Sequence, residues 1–113
     1  MEVKRILFKS RKTSEITRIP EPVQDYMRHR FLLLPKYIDM LRCFECDGVV
    51  QDNNVRFLRV FNPRIARERG ISVKTGSDLE KHPDMLLFEG YIDCQSRVYM
   101  ADRRGIARET VVR

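Results

Sequence analysis

The sequence predicts an α+β protein, with a mainly antiparallel sheet of four or five strands and an N-terminal helical segment packed on one face. Two observations support this class. Apolar residues follow helical spacing across residues 22–46, and further along two pairs of apolar segments flank short polar turns. A chain of 113 residues with 42% hydrophobic content is the size of one domain. We therefore expect a single domain over 1–113, with 9–19 and 103–113 as candidate mobile segments.

The N-terminal part begins with a strand pattern over residues 2–8 and a polar loop after it. A helix is then expected to start near Pro20 and Pro22, because proline in the first helical turn sacrifices no hydrogen bond. Apolar side chains continue at helical spacing up to a break at Pro35 and resume beyond it. They are Val23, Tyr26, Met27, Phe31 and Leu34, then Tyr37, Met40, Leu41 and Phe44. This spacing predicts two consecutive helices that end near Asp47-Gly48.

The middle of the chain predicts a hairpin and a short helix. Apolar segments 49–51 and 55–61 flank a turn of Asp and Asn, which is typical of a β-hairpin. Asn62-Pro63 then has the chemistry of an N-cap followed by the first helical residue. Gly70 would close that helix.

The C-terminal part predicts a second hairpin, from residues 85–92 and 97–101. Before it, residues 71–73 suggest a short strand, and Ser77 with Glu80 fits a capping box. After it comes a basic tail that we expect to be partly helical.

Strand 55–61 carries apolar residues at both parities, so neither face is purely polar. Either the chain covers both faces, or one face is reserved for a partner. Arginine interleaved with Phe57 and Phe61 could also stack nucleic-acid bases, but the glycines of the commonest RNA-binding sheet motif are absent. Central burial or a dimer interface is the favoured explanation.

Charge is concentrated at the two ends of the chain. Residues 1–42 carry ten Lys/Arg against five acids, 43–96 carry seven against nine, and 97–113 carry five against two. Within the middle region, acids lie close in sequence to the arginines. Two clusters stand out by local density, and they are Lys9, Arg11 and Lys12, and Arg103, Arg104 and Arg108. If the ends meet in the fold, these clusters would form one patch able to contact several phosphates.

The three cysteines are too few for a disulfide framework, which favours reduced thiols and a cytoplasmic location. Cys43 and Cys46 form a C-x-x-C pair, which Cys94 and His82 could complete as a zinc site. The pair falls in the expected helix, where residues three apart share a face, so buried thiols are the favoured explanation. The zinc site stays an alternative.

No catalytic or cofactor-binding motif is recognisable. The sequence lacks a nucleophile elbow, a metalloprotease helix and a phosphate-binding glycine loop, and the two histidines with their neighbours form no convincing acid–base pair. We assign no catalytic residue, metal ligand or cofactor, and an enzyme ranks third among the functions considered. Since no apolar stretch reaches the length of a membrane span, no membrane partner is expected either.

The leading hypothesis is a small non-enzymatic module that binds nucleic acid, DNA or RNA, through phosphate contacts from the two basic clusters. The alternative is a protein–protein interaction or regulatory subunit, homodimeric through its apolar strand faces. The two rank almost equally.

Overall fold

The computed structural model describes residues 6–9, 16–101 and 106–111, and for 6–9 and 106–111 it describes the backbone alone. Six strands form one sheet, and they are β1 (Ile6–Lys9), β2 (Arg42–Val50), β3 (Asn53–Phe61), β4 (Leu86–Ile92), β5 (Val98–Met100) and β6 (Ile106–Val111). Their order across the sheet is β5-β4-β3-β2-β1-β6. All neighbours are antiparallel except β1 and β6, which pair in parallel. The predicted α+β class is confirmed, with one strand more than expected.

Four short helices fill the two long connections. Between β1 and β2 lie α1 (Glu21–Arg30) and α2 (Pro35–Met40), and between β3 and β4 lie α3 (Pro63–Glu68), α4 (Gly76–Lys81) and a 3₁₀ turn (Pro83–Met85). Proline occupies the first turn of α1, α2 and α3, where its missing N–H has no intrahelical acceptor.

The front face of the sheet, defined as the face that carries Cys43, Leu58, Val60, Phe88 and Ile92, packs against α1 and α2. These strand residues form one core cluster with buried side chains from the N-terminal connection, which are Ile19, Val23, Met27, Ile38 and Leu41. The Tyr26 ring of α1 lies 5.6 Å from the Phe88 ring, centroid to centroid. This core fixes the position of α1 over β4 and β5.

The back face holds two further clusters. Under α3 and α4 lie Phe44, Phe61, Ala66, Leu79 and Met85, and beside them lie Val50, Val55, Phe57 and Tyr91. Strand β3 therefore contributes buried side chains to both faces, as the alternation of its apolar residues predicted.

The predicted helical segment 22–46 is wrong at its C-terminal end. Helix α2 ends at Met40, and β2 begins at Arg42. The cause is burial on both faces, because a strand covered on both sides shows no polar alternation and cannot be told from a helix by spacing alone. Phe44, assigned to the helix by its spacing, instead lies on the back face of β2.

The short helix α3 follows the local signals closely. The Asn62 side chain accepts the N–H groups of Arg64 and Ile65 at its start. At its end Gly70 has a φ of 71°, and the Ile71 N–H returns to the Ala66 carbonyl, as in a Schellman motif.

Three other local predictions fail. Residues 71–73 form no strand, and the capping box of α4 is Thr75 with Asp78 rather than Ser77 with Glu80. Residues 106–111, expected to be partly helical, form the edge strand β6. The residues of β6 acquire strand geometry from pairing with a segment about a hundred positions earlier, which local propensity does not encode.

Candidate functional site

The two ends of the chain meet at one edge of the sheet. Strand β1 contains Lys9 and β6 contains Arg108, and these strands are hydrogen-bonded neighbours in which Ile6 lies opposite Ile106 and Lys9 opposite Val111. Four other residues of the two predicted basic clusters lie outside the described residues, and they are Arg11, Lys12, Arg103 and Arg104. Parallel pairing thus brings the strands next to both clusters into contact, which no sequence pattern indicated.

The net charge of the protein resides in these ends. Residues 16–101 carry thirteen Lys/Arg and twelve Asp/Glu, whereas 1–15 and 102–113 together carry nine and four. Five of the six net positive charges therefore belong to the segments around β1 and β6.

Most arginines between the ends are held in ion pairs. The exposed pairs are Arg18–Asp39, Arg28–Asp25, Arg56–Glu45, Arg64–Glu68 and Arg69–Asp84, at 2.8–3.4 Å. Such pairs contribute little to stability but reduce the positive field available to an external anion. The middle of the chain is electrostatically balanced, as its sequence indicated.

Arg59 also forms ion pairs, but unlike the arginines above its side chain is largely buried. Its Nε donates to Glu89 Oε2 at 2.9 Å, one of its terminal nitrogens donates to Glu80 Oε2 at 2.7 Å, and the guanidinium lies 5.3 Å from the centre of the Phe57 ring. Phe57 itself is 1% exposed. The described back face therefore offers neither a free aromatic platform nor a free arginine on β3, so the base-stacking alternative has no surface there.

The C-x-x-C pair does not form a metal site. Because Cys43 and Cys46 lie in a strand, their side chains point to opposite faces, Cys43 into the front core and Cys46 toward the back. Cys94 is exposed in the turn between β4 and β5, and His82 follows α4. Among the described residues, no group of three or more His, Cys, Asp or Glu could hold a metal ion.

Neither thiol of β2 is chemically activated. Burial raises the pKa of Cys43 to about 11, and burial likewise raises the pKa of Cys46 to about 11. The Cys43 Sγ lies 3.5 Å from the Thr17 hydroxyl, in a core position. Since the thiolate is the nucleophile and the metal ligand, a raised pKa lowers the reactivity of both thiols at neutral pH.

Two concavities were considered as ligand sites. One, of about 380 Å³, is lined mainly by apolar side chains between α3 and the segment after it, including Ile16, Phe61, Ala66 and Ile71. The other is a shallow groove beside α1 where His29 Nδ1 lies 2.8 Å from the Asp25 carbonyl oxygen. Neither brings together the acid, base and nucleophile that an active site requires.

Sequence reasoning missed an exposed apolar loop. The apolar loop, defined as Phe31–Leu34, joins α1 to α2, and in it Leu32 is 84% exposed and Leu34 is 72% exposed. Phe31 and Leu34 continue the helical spacing of Val23, Tyr26 and Met27, which predicts that they belong to the first helix. The helix ends at Arg30 instead, and Leu32 and Leu34 lie in solvent.

No protein-family model, curated protein or solved structure matches this chain. Within the described ranges, every helix is too short and too polar to cross a bilayer.

Proposed function

We propose that this protein binds nucleic acid through phosphate contacts from the edge of the sheet formed by β1 and β6. The observation that carries the proposal is the parallel pairing of these two strands, which contain Lys9 and Arg108. A cluster of arginine and lysine at one site neutralises several phosphates and releases their counterions. The residues proposed to make the contacts are Lys9, Arg11, Lys12, Arg103, Arg104 and Arg108.

The ion pairs elsewhere support this choice of surface. Arg56, Arg64 and Arg69 are each within 3.4 Å of a carboxylate, so a phosphate would compete with an existing partner there. With Phe57 buried on β3, base stacking on the central strands is disfavoured as well. We therefore expect sequence-independent binding with strong salt dependence.

The test is fluorescence anisotropy with a labelled DNA duplex and a labelled single-stranded RNA over a salt series. Two triple variants remove the clusters, K9Q/R11Q/K12Q and R103Q/R104Q/R108Q. A matched variant, R64Q/R67Q/R69Q, removes the same charge from α3 and its C-terminal end. On duplex DNA, each cluster variant should reduce the slope of log affinity against log salt by about 0.9 for every phosphate that it no longer neutralises.

Three results would count against the proposal: no measurable affinity, affinity that does not fall with salt, or an equal loss in R64Q/R67Q/R69Q. Comparing DNA with RNA identifies the preferred polymer, which the charges alone do not specify.

The second candidate is a protein–protein interaction subunit. The apolar character of both strand faces suggests such a subunit, but the described side chains of those faces are largely buried within the chain. Exposed apolar area is found instead at the apolar loop. Sedimentation velocity at high salt distinguishes the candidates, because apolar self-association survives salt whereas phosphate contacts do not.

A further inference from the structure

The apolar loop combines two leucines that are exposed and poorly suited to their backbone positions. Leu32 has a φ of 56°, in the left-handed region that bulky residues rarely adopt. Leu34 is the N-cap of α2, where Ser, Thr, Asp or Asn would accept a backbone N–H, and no side chain caps this helix. Each leucine therefore weakens the local structure without gaining burial.

The residue between the two leucines packs inward. Leu33 is partly buried against the front core, as are Tyr26 and Tyr37. Phe31 also contacts Tyr26, with ring centroids 6.3 Å apart in an edge-to-face arrangement. Leu33 and one side of the Phe31 ring therefore contact the protein, whereas Leu32 and Leu34 project into solvent as an exposed apolar tip.

The surroundings of this tip are basic. Residues 28–36 contain Arg28, Arg30 and Lys36 with His29 and no acid. Within the described part of the chain, Arg28 pairs with Asp25, but Arg30 and Lys36 form no ion pair. Both are exposed, one on each side of the apolar loop.

From this arrangement we propose that the apolar loop inserts into the interface of a membrane whose surface carries anionic lipids. Protruding leucines would enter the boundary between headgroups and acyl chains, while Arg30 and Lys36 would contact anionic headgroups. An exposed apolar tip flanked by cations matches such a surface in polarity and charge. Nucleic acid offers no apolar phase to a leucine, and surface insertion requires no membrane-spanning helix.

The helix that leads into this loop lies at the other side of the sheet from the edge assigned to nucleic acid. Helix α1, which leads into the loop, packs over β4 and β5, whereas β1 and β6 form the opposite edge of the sheet. The two surfaces can therefore be altered separately, and neither proposal depends on the other.

The first experiment measures co-flotation with phosphatidylcholine vesicles, with and without about one third phosphatidylserine. The variant L32G/L34S introduces glycine at the left-handed position and serine at the N-cap, so it should unfold at the same or a higher temperature. We expect it to lose vesicle binding by about tenfold or more. Because no charge changes, attraction of the basic ends to phosphatidylserine cannot explain such a loss.

The rim is tested by R30Q/K36Q, with R64Q/R69Q as a control of equal charge. Removal of two cations near an anionic surface should weaken binding by about thirtyfold, or about 2 kcal/mol, on phosphatidylserine vesicles only. The control R64Q/R69Q should bind phosphatidylserine vesicles with an affinity closer to that of wild type.

Insertion can be observed directly because the chain contains no tryptophan. In L32W the single indole should emit at shorter wavelength on vesicle binding and be quenched by brominated lipid. In I16W the indole replaces an exposed isoleucine beside α3, and neither the shift nor the quenching is expected.

Wild-type protein that does not float with phosphatidylserine vesicles, or L32G/L34S that floats equally well, would overturn the proposal. Self-association that disappears in L32G/L34S without any vesicle binding would overturn it too, and would assign the loop to a second copy of the chain. Nucleic-acid affinity of L32G/L34S should match wild type, so each proposal fails or stands by its own measurement.

Discussion

Arg59 on β3 and Glu89 on β4 lie directly opposite each other and form an ion pair that is almost closed to solvent. Their side chains are 12% and 9% exposed, and the Nε–Oε2 distance is 2.9 Å. Glu80, from α4, reaches the same guanidinium. The pair therefore connects two strands of the sheet and the helix above them, between the two apolar clusters of the back face.

We predict that Arg59→Met lowers the free energy of unfolding by about 3 kcal/mol, because it leaves the carboxylate of Glu89 buried without this cation. Urea unfolding at neutral pH provides the measurement. The nearby Arg56→Met is the matched control, since Arg56 pairs with Glu45 at 3.0 Å but is half exposed. Its effect should be at most about 1 kcal/mol. Equal effects of the two substitutions would show that burial does not increase the contribution of the Arg59 pair to the free energy of unfolding.

Asn62 should be the most sensitive polar residue near α3. It is buried, its side-chain oxygen accepts the N–H groups of Arg64 and Ile65, and its Nδ2 donates to the Tyr37 hydroxyl at 3.4 Å. Asn62→Ala removes the cap and the link to α2, so we expect a loss of about 2 kcal/mol in thermal or urea unfolding.

The control for this substitution is Asn53→Ala, at the first residue of β3. Asn53 is exposed and donates one hydrogen bond to the Gln51 carbonyl. A loss within about 0.5 kcal/mol is expected there. If Asn62→Ala were equally mild, the capping interaction would not govern the stability of α3.

The contrast between α3 and β2 shows which parts of the fold sequence reasoning can reach. Helix α3 was predicted because its signals are local, with Asn62 at the N-cap and Gly70 after the last turn. For β2 the apolar spacing predicts a helix instead of a strand. The reason is that Cys43 and Phe44 are buried on opposite faces, so the alternation of apolar and polar residues typical of a strand is absent.

Long-range pairing and exposure explain the remaining differences. The contact between β1 and β6 joins residues about a hundred positions apart, and its parallel direction has no local signature. The left-handed backbone of the apolar loop could not be predicted, because position 32 is leucine rather than glycine or asparagine. The charge balance of the middle of the chain was easier to predict, because acidic residues lie close in sequence to most of its arginines.

The two thiols of β2 give the protein a specific response to alkaline pH. Burial raises the pKa of Cys43 and of Cys46 from the ordinary value of 9.0 to about 11. Well below pH 9 both thiols are protonated in the folded and the unfolded chain. Between about pH 9 and 11 the unfolded chain loses these protons first, so stability should fall as pH rises through this window.

This pH dependence is measured by urea unfolding at neutral pH and near pH 10.5. The variant C43A/C46A is the reference, because it removes both titrating groups while lysine and tyrosine titrate as before. Its stability should decline less than that of wild type over the same interval. Parallel decline in the two proteins would contradict the assignment to the thiols.

Gly90 in β4 has no room for a side chain. A Cβ built there would overlap the Tyr99 carbonyl oxygen and lie 2.5 Å from Cζ of Phe88, whose ring covers this position. Both neighbours are fixed, one by the β4–β5 pairing and the other by the front core. Gly90→Ala should therefore cost about 3 kcal/mol or prevent folding, since overpacking in a closed core forces backbone shifts.

Gly76→Ala separates this effect from a general intolerance of glycine replacement. At Gly76 the new Cβ would lie 3.5 Å from the Arg59 guanidinium and 3.7 Å from Phe44, which are ordinary contacts. Since alanine favours helix over glycine by up to about 1 kcal/mol, this substitution in α4 should be neutral or stabilising. A Gly90→Ala protein that unfolds at the same temperature as Gly76→Ala would show that β4 and β5 can separate enough to admit a methyl group.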